Sequence, residues 1–406
     1  VKEIRKIIAT YDQLDLTEEK VALAAVVNVE ESSYRRIGAR MLVRSNGLWT
    51  GGISGGCLEG DALKRSQMAI FKGEASKVVY DTMDDDNNQI GVGLGCNGRI
   101  EVVFTPIDAA DPNNEIEQLK KIATAEVPSV MLKIIDAPPG SQLLGQERLV
   151  EQDTPAIDFV GIDPLVLQES VAATWEQRRA RIIQTQAEGG AVTLLVEFIR
   201  PETRLIVVGD NYDVSAMLGV ANELGWECYV VGKAKKLTKE IYQLAREVVD
   251  FAQADTLPVH DYTAVLLMSH DYNRDKQMLP IFANQHPRYL GMLGPRKRFQ
   301  NMQNDLKEMN LASLPFFYSP TGLEIGAESP HEIALSIAAE IIAVFRQKRA
   351  ASSKIRRARF TSGRARSAKA TSPQNKGLIL LHNLVGLHPQ RFFLAGYLQP
   401  DIVQAG

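Results

Sequence analysis

R-L-I-V-V-G-D-N-Y-D-V-S-A-M-L-G-V-A-N-E-L-G-W-E-C-Y-V-V, residues 204–231, reads as strand, helix and strand in succession. Leu205 to Val208 is a short apolar run closed by a glycine, and Cys228 to Val231 is a second. Between them Val214, Met217, Leu218, Ala221 and Leu224 fall on one helical face. Further apolar runs follow at Ala264 to Met268 and Tyr289 to Leu293. Strands that are apolar throughout are covered on both faces, as in a parallel sheet flanked by helices. The expectation for residues 201–345 is therefore a Rossmann-like α/β unit.

Its first turn, Gly209-Asp210-Asn211-Tyr212-Asp213-Val214, departs from a dinucleotide fingerprint. That fingerprint uses G-x-G-x-x-G/A, whose second glycine admits the pyrophosphate, and an acid after the second strand for the ribose. Asn211 stands at the second glycine, and Gly232-Lys233 follows the second strand. Asp210 and Asp213 add negative charge where a helix N-terminus would otherwise attract phosphate. NAD(P) binding is not expected.

Other strand ends in this unit carry candidate residues. His270, with Asp271 and Asp275, follows a strand, where α/β folds place ligand contacts; it reads equally as a loop histidine capping a helix. Arg296 to Arg298 follow another strand end and read as a phosphate contact or a solvated first turn. Ser329-Pro330-His331-Glu332 is a capping box, continued by Ile333, Ile337 and Ile341. The loop before it, Pro320 to Ala327, contains Gly322 and is compatible with an anion contact or with a plain crossing of the sheet end.

The first 200 residues have a different texture. Strands are expected at Val21 to Val29, Gly38 to Ser45, Ser76 to Asp81, Ile100 to Thr105, Val130 to Ile135 and Ala191 to Ile199. Helices are expected over residues 1–12, Asp61 to Phe71 and Leu165 to Ala187, giving an α+β domain over 1–200. Within it W-T-G-G-I-S-G-G-C-L-E-G-D, residues 49–61, gathers Gly52, Ser54, Gly55, Gly56, Cys57 and Glu59 in one turn. Glycines at this density let backbone N–H groups close around a ligand, and a thiol and carboxylate beside them suggest chemistry. A tight strand-to-helix turn with a small buried cysteine is the alternative. A second such loop, G-V-G-L-G-C-N-G at 91–98, holds Gly95 and Cys96 and follows Asp84 to Asp86.

Composition narrows the functional classes. Of 406 residues, 45% are apolar and 23% charged, as in an ordinary globular protein of two or three domains. Cys57, Cys96 and Cys228 are odd in number and widely spaced, which argues for a reducing, cytoplasmic setting rather than a disulfide framework. No secretory leader or membrane-spanning run is expected. From Arg346 onward twelve Lys/Arg face the single acid Asp401, a net +11, so against the chain's −3 residues 1–345 carry −14. An acidic body is a poor nucleic-acid partner. Residues 346–406 read as a basic, low-complexity, disordered tail. Zinc spacing, a P-loop and a serine nucleophile elbow are all missing, which removes structural zinc, NTPase and α/β-hydrolase readings.

Four segments taken together resemble the XdhC/CoxI family: 51–61, 93–98, S-H-D-Y-N-R-D with Y-L-G-M-L-G-P-R-K-R (269–275 and 289–298), and S-P-T-G-L-E-I-G-A-E-S-P-H-E-I-A-L-S-I-A-A-E (319–340). The resemblance runs over about residues 10–345 and implies an accessory chaperone rather than a catalyst. Such a protein would bind the molybdenum cofactor (molybdopterin) transiently, support its sulfuration by a cysteine desulfurase, and deliver it to a xanthine dehydrogenase-like molybdenum hydroxylase. Homo-oligomerisation is a further expectation. Cys57 becomes the first candidate for a molybdenum or sulfur contact and Cys96 the second, because thiolate is a soft ligand. Glu59 reads as a proton-handling group or as a cap on the next helix. Gly232 and Pro295 depart from the Asp and Ser usual at those places in the family, and Asp210-Asn211 from its small residues. Two other classes remain open: an NAD(P)-dependent Rossmann oxidoreductase, and a docking protein for the hydroxylase without a cofactor of its own.

Overall fold

The computed structural model describes residues 2–31, 33–81, 98–151, 154, 157–348 and 350. Gly95 and Cys96, the acidic run 84–86 and the basic tail beyond Ala350 lie outside the described residues. The chain opens with α1 (Lys2–Tyr11), β1 (Val21–Glu31), β2 (Arg40–Arg44), β3 (Trp49–Gly51), α2 (Glu59–Lys72), β4 (Ser76–Asp81), β5 (Gly98–Pro106) and α3 (Glu115–Thr124). Among the described residues these strands form an antiparallel sheet in the order β3-β2-β1-β5-β4.

β1 explains the packing. Its first seven residues are all buried, so along this central strand neither face of the sheet meets water. Alternate side chains point to opposite faces. Ala24 and Val26 join Met41, Val102 and Phe104 beneath α2, while Val21 and Leu23 meet α1 and α3 through Ile7, Tyr11, Ile116 and Leu119. Ala25 and Val27 face a second sheet through Ile135 and Leu195.

That second sheet is built from β6 (Ser129–Asp136), β7 (Glu147–Val150), β8 (Arg181–Ala187) and β9 (Gly190–Ile199), in the order β7-β6-β9-β8, with α4 (Pro164–Gln177) packed on it. Here the expected helix over Leu165 to Ala187 needs correction. It ends at Gln177, where Arg178 turns left-handed at φ 50°, and residues 181–187 form a strand instead. R-I-I-Q-T-Q-A alternates between half-buried and exposed positions as a β8–β9 hairpin arm does, a period of two obscured by the helical pattern before it.

Charged residues are buried where the two sheets meet. Arg40 of β2 donates Nε to Glu115 of α3 at 3.2 Å and Nη2 to Glu197 of β9 at 3.1 Å. Lys133 of β6 pairs with Glu115 and, at 3.4 Å, with Glu147 of β7. Burial raises the Glu147 carboxyl, and neighbouring Glu115 adds to this, so that it titrates at about 8. Burial alone would raise Glu115 too, but Lys133 and Arg40 outweigh it and hold that group below the usual range.

The remaining elements are β10 (Arg204–Val208), α5 (Tyr212–Leu224), β11 (Glu227–Val231), α6 (Lys239–Leu244), β12 (Glu247–Val249), β13 (Thr263–Leu267), α7 (Tyr272–Ala283), β14 (Tyr289–Met292), α8 (Arg296–Asp305), β15 (Phe317–Tyr318) and α9 (Pro330–Phe345). All the pairings are parallel, in the order β12-β11-β10-β13-β14-β15. Counted from β10 this is 3-2-1-4-5-6, the doubly wound Rossmann arrangement. Its faces are covered by separate cores, one containing Val214, Leu218, Ile337 and Ile341, the other Met278, Leu279, Phe282 and Met302. Among the described residues no helix is long and apolar enough to cross a membrane.

Candidate functional site

The loop between β3 and α2 is organised by two of its own side chains. Glu59, the first residue of α2, turns its carboxylate back and accepts from the amides of Ile53 at 3.2 Å and Ser54 at 2.8 Å, and from the Ser54 hydroxyl. The Ser54 oxygen in turn accepts from the amides of Gly56 at 3.2 Å and Leu58 at 3.1 Å, and from the Cys57 thiol at 3.6 Å. Burial works to raise the Glu59 carboxyl, but bonds from the Ser54 side chain and from the loop backbone prevail and hold it below the usual range. These bonds tie Glu59 to the loop before α2 and not to the helical amides, and the helix has no side-chain cap at Leu58.

Close approach requires glycine at 51 and leaves little room at 52. At Gly51, with φ 87°, a Cβ would sit 2.4 Å from the Arg40 carbonyl; at Gly52 it would sit 3.3 Å from the Glu59 carboxylate. The Gly52 amide is already bonded to Arg40, at 2.9 Å. Four of the loop amides are thus committed to Ser54 and Glu59. Among the described residues the amides of Gly55 and Cys57 have no such partner. They flank exposed Gly56, beside a half-buried thiol. The exposed Tyr34 ring lies over Gly55, 3.5 Å from where its Cβ would be.

At the carboxyl ends of the parallel strands the sequence candidates are also tied to the protein. The strand order reverses between β10 and β13, the crevice where such sheets place ligands. Asn211 spans it, donating Nδ2 to the Met268 carbonyl at 2.6 Å while its Oδ1 caps α5 at the Asp213 amide. A Cβ on Gly209 would lie 2.8 Å from the same carbonyl, and one on Gly232 would lie 2.8 Å from that of Gly209. Asp210 accepts from Lys236 and from the Lys233 amide, both at 3.3 Å.

His270 sits on the same edge in a left-handed conformation, φ 59°, with Nε2 2.7 Å from the Asp213 carboxylate. It does not cap its own helix; Asp271 does, through the amides of Asn273 and Arg274. Asp275 is fully buried and binds Ser269 Oγ at 2.5 Å and Arg298 at 2.6 Å, so Arg298 is held inside the fold. Gly322 gives its amide to Glu340 at 2.9 Å, and Glu340 and Thr321 both bond the Tyr289 hydroxyl. With φ 100° and a would-be Cβ 2.5 Å from Ser336, Gly322 is a packing requirement of this loop.

The structure therefore gathers Ser54, Gly55, Gly56, Cys57 and Glu59 in one turn, and His270 with Gly322 along another edge. Among the described residues no hydrogen bond, ion pair or ring contact joins the two groups. Sequence reasoning missed Tyr34 and Asp213 as partners of these sites. Neither carries a spacing signal, because Tyr34 lies some twenty residues before Gly55 and Asp213 fifty-seven before His270. Among the described residues no group of three or more His, Cys, Asp or Glu side chains is arranged to hold a metal ion.

Residues 16–81 match the XdhC and CoxI family, and residues 205–341 match the XdhC Rossmann domain. The first match contains the Cys57 loop and the second contains His270 and Gly322. The chain is 26% identical over 335 residues to a probable xanthine dehydrogenase subunit from Bacillus subtilis (strain 168), covering 82% of this chain and 95% of that protein. It is 23% identical over 324 residues to the molybdenum cofactor insertion chaperone PaoD of Escherichia coli (strain K12), covering 79% and 82%. A crystal structure of a xanthine dehydrogenase from Bacillus halodurans superposes with a TM-score of 0.67 at 26% identity, over 86% of this chain and 98% of the other.

Proposed function

We propose, from the premise that the chain belongs to the XdhC and CoxI family, that it is a molybdenum cofactor insertion chaperone serving a xanthine dehydrogenase-type hydroxylase. The observation that carries the reading is the half-buried Cys57 thiol beside the uncommitted Gly55 and Cys57 amides. The cargo is anionic, and N–H groups in a fixed turn suit it without a cation. A thiolate is a soft donor for molybdenum, and Tyr34 offers a ring face to a flat pterin. Ser54 and Glu59 fix the turn before the cargo arrives, so little ordering remains on binding. Sulfuration of the held cofactor by a cysteine desulfurase, handover to the hydroxylase, and a contribution from Gly95 and Cys96 complete the proposal.

Nicotinamide chemistry in the parallel-sheet half has less support. The crevice at the β10–β13 reversal is spanned by the Asn211 to Met268 bond, where a pyrophosphate would need open backbone. The decisive experiment loads the full chain with molybdenum cofactor, removes the excess, oxidises what is retained and measures the fluorescent pterin. Retention by the parent and loss in Cys57→Ala are expected. Equal retention by both removes Cys57 from the seat; no retention by either favours a docking protein without its own cofactor.

A further inference from the structure

We propose that the cavity bounded by the end of β5, α3 and the β6–β7 hairpin is a binding site for a small organic cation carrying ammonium or guanidinium groups. The cavity measures about 1220 Å³ and lies in the 1–200 half, built from residues other than those of the Cys57 loop and the parallel-sheet edge. Three of its lining side chains, Thr105, Ser141 and Glu147, have buried oxygens with no hydrogen-bond partner. Unpaired buried polar atoms are rare and costly, and these three belong to residues that line one cavity. The Glu147 side chain is only 4% exposed: Lys133 takes its Oε2, and its Oε1 is the orphan.

The two hydroxyls accept as well as donate, Glu147 Oε1 accepts once it is ionised, and the charge around them selects a donor that is positive. Glu74, Asp108, Asp111 and Asp158 line the opening against Lys121 and Arg148, and Glu115 stands behind Glu147. An anion, including a cofactor phosphate, is repelled from such a wall. Glu147 faces Glu115 of α3, Lys133 of β6 and Arg40 of β2, with Glu197 of β9 completing the cluster. Burial and Glu115 keep it protonated at neutral pH. An arriving cation favours the ionised form, so the proton passes from Oε1 to solvent as the positive group takes its place. The net charge of the site is conserved in that exchange.

The probe is agmatine, whose guanidinium stays charged over the whole range. Titrated calorimetrically into the full chain, it is expected to bind roughly tenfold more tightly at pH 9 than at pH 7, as a site needing a carboxylate that titrates at about 8 requires. About one proton should be released at pH 7, read from the dependence of the heat on buffer ionisation. Glu147→Gln should weaken binding and remove its pH dependence. Thr105→Val with Ser141→Ala, which leaves the ion cluster untouched, should weaken binding while retaining that dependence. Absence of saturable binding overturns the proposal, as does an affinity unchanged in both variants. Saturable inorganic phosphate binding that is lost in the same variants overturns it in favour of an anion.

Discussion

Glu59 and Cys57 sit two residues apart and do opposite kinds of work. Glu59 gathers two amides and a hydroxyl, and no neutral amide replaces an acceptor on both oxygens. Glu59→Gln is expected to cost about 1–3 kcal/mol in urea unfolding, the range for leaving buried donors unpaired. Its folded-state pKa is depressed, so its contribution is complete above the unfolded value and is lost as pH falls through the folded one. The parent should therefore lose stability in acid more steeply than Glu59→Gln. Cys57 gives the loop a single long thiol contact to Ser54. Cys57→Ala should leave the unfolding free energy within about 1 kcal/mol of the parent while abolishing retained pterin. A Cys57→Ala protein that retains pterin but unfolds easily reverses this assignment of roles.

The buried ion cluster is the element-level counterpart, since β2, α3, β6, β7 and β9 meet through it. Lys133→Met removes the cation shared by Glu115 and Glu147 and should destabilise by about 3–5 kcal/mol, as an uncompensated buried charge does. None of this was legible in the sequence, because a lysine within S-V-M-L-K-I-I-D reads as an exception in a strand, not as a partner of Glu115. The parallel strands were legible for the converse reason. Helices cover both faces, so Leu205 to Val208 or Ala264 to Met268 contain no polar interruption. The edges β12 and β15, three and two residues long, leave too little pattern to read. β8 was hidden because only its alternation distinguishes it from the end of α4. The Cys57 loop could be found from its glycines, whereas its wiring through Ser54 and Glu59 depends on a backbone turn that composition does not encode.

Across residues up to Ala350, which form one compact unit, the raised and lowered carboxyls together set a pH profile. Burial lifts Glu147 to about 8 and, against the pull of Arg5, Glu202 to about 7. Each binds a proton in the folded chain that the unfolded chain releases above about 4.5, so stability falls as pH rises from there to each raised value. Glu59, Glu115, Glu126 and Glu227 are lowered, and their contribution is lost on the acid side instead. His260, lowered by burial and Arg204, gains stability as pH rises through its unfolded value, one group against two. The balance places the maximum near pH 5, at the junction of the acid and alkaline limbs. Thermal unfolding of the full chain from pH 4 to pH 9 should show that maximum and a decline toward pH 8. Glu147→Gln combined with Glu202→Gln should flatten the decline without moving the acid limb, because it removes the two proton-holding groups and leaves the lowered carboxyls in place. A parent midpoint still rising between pH 6 and pH 8 would mean that His260 outweighs the buried acids, and that the cluster joining the two antiparallel sheets is ionised throughout.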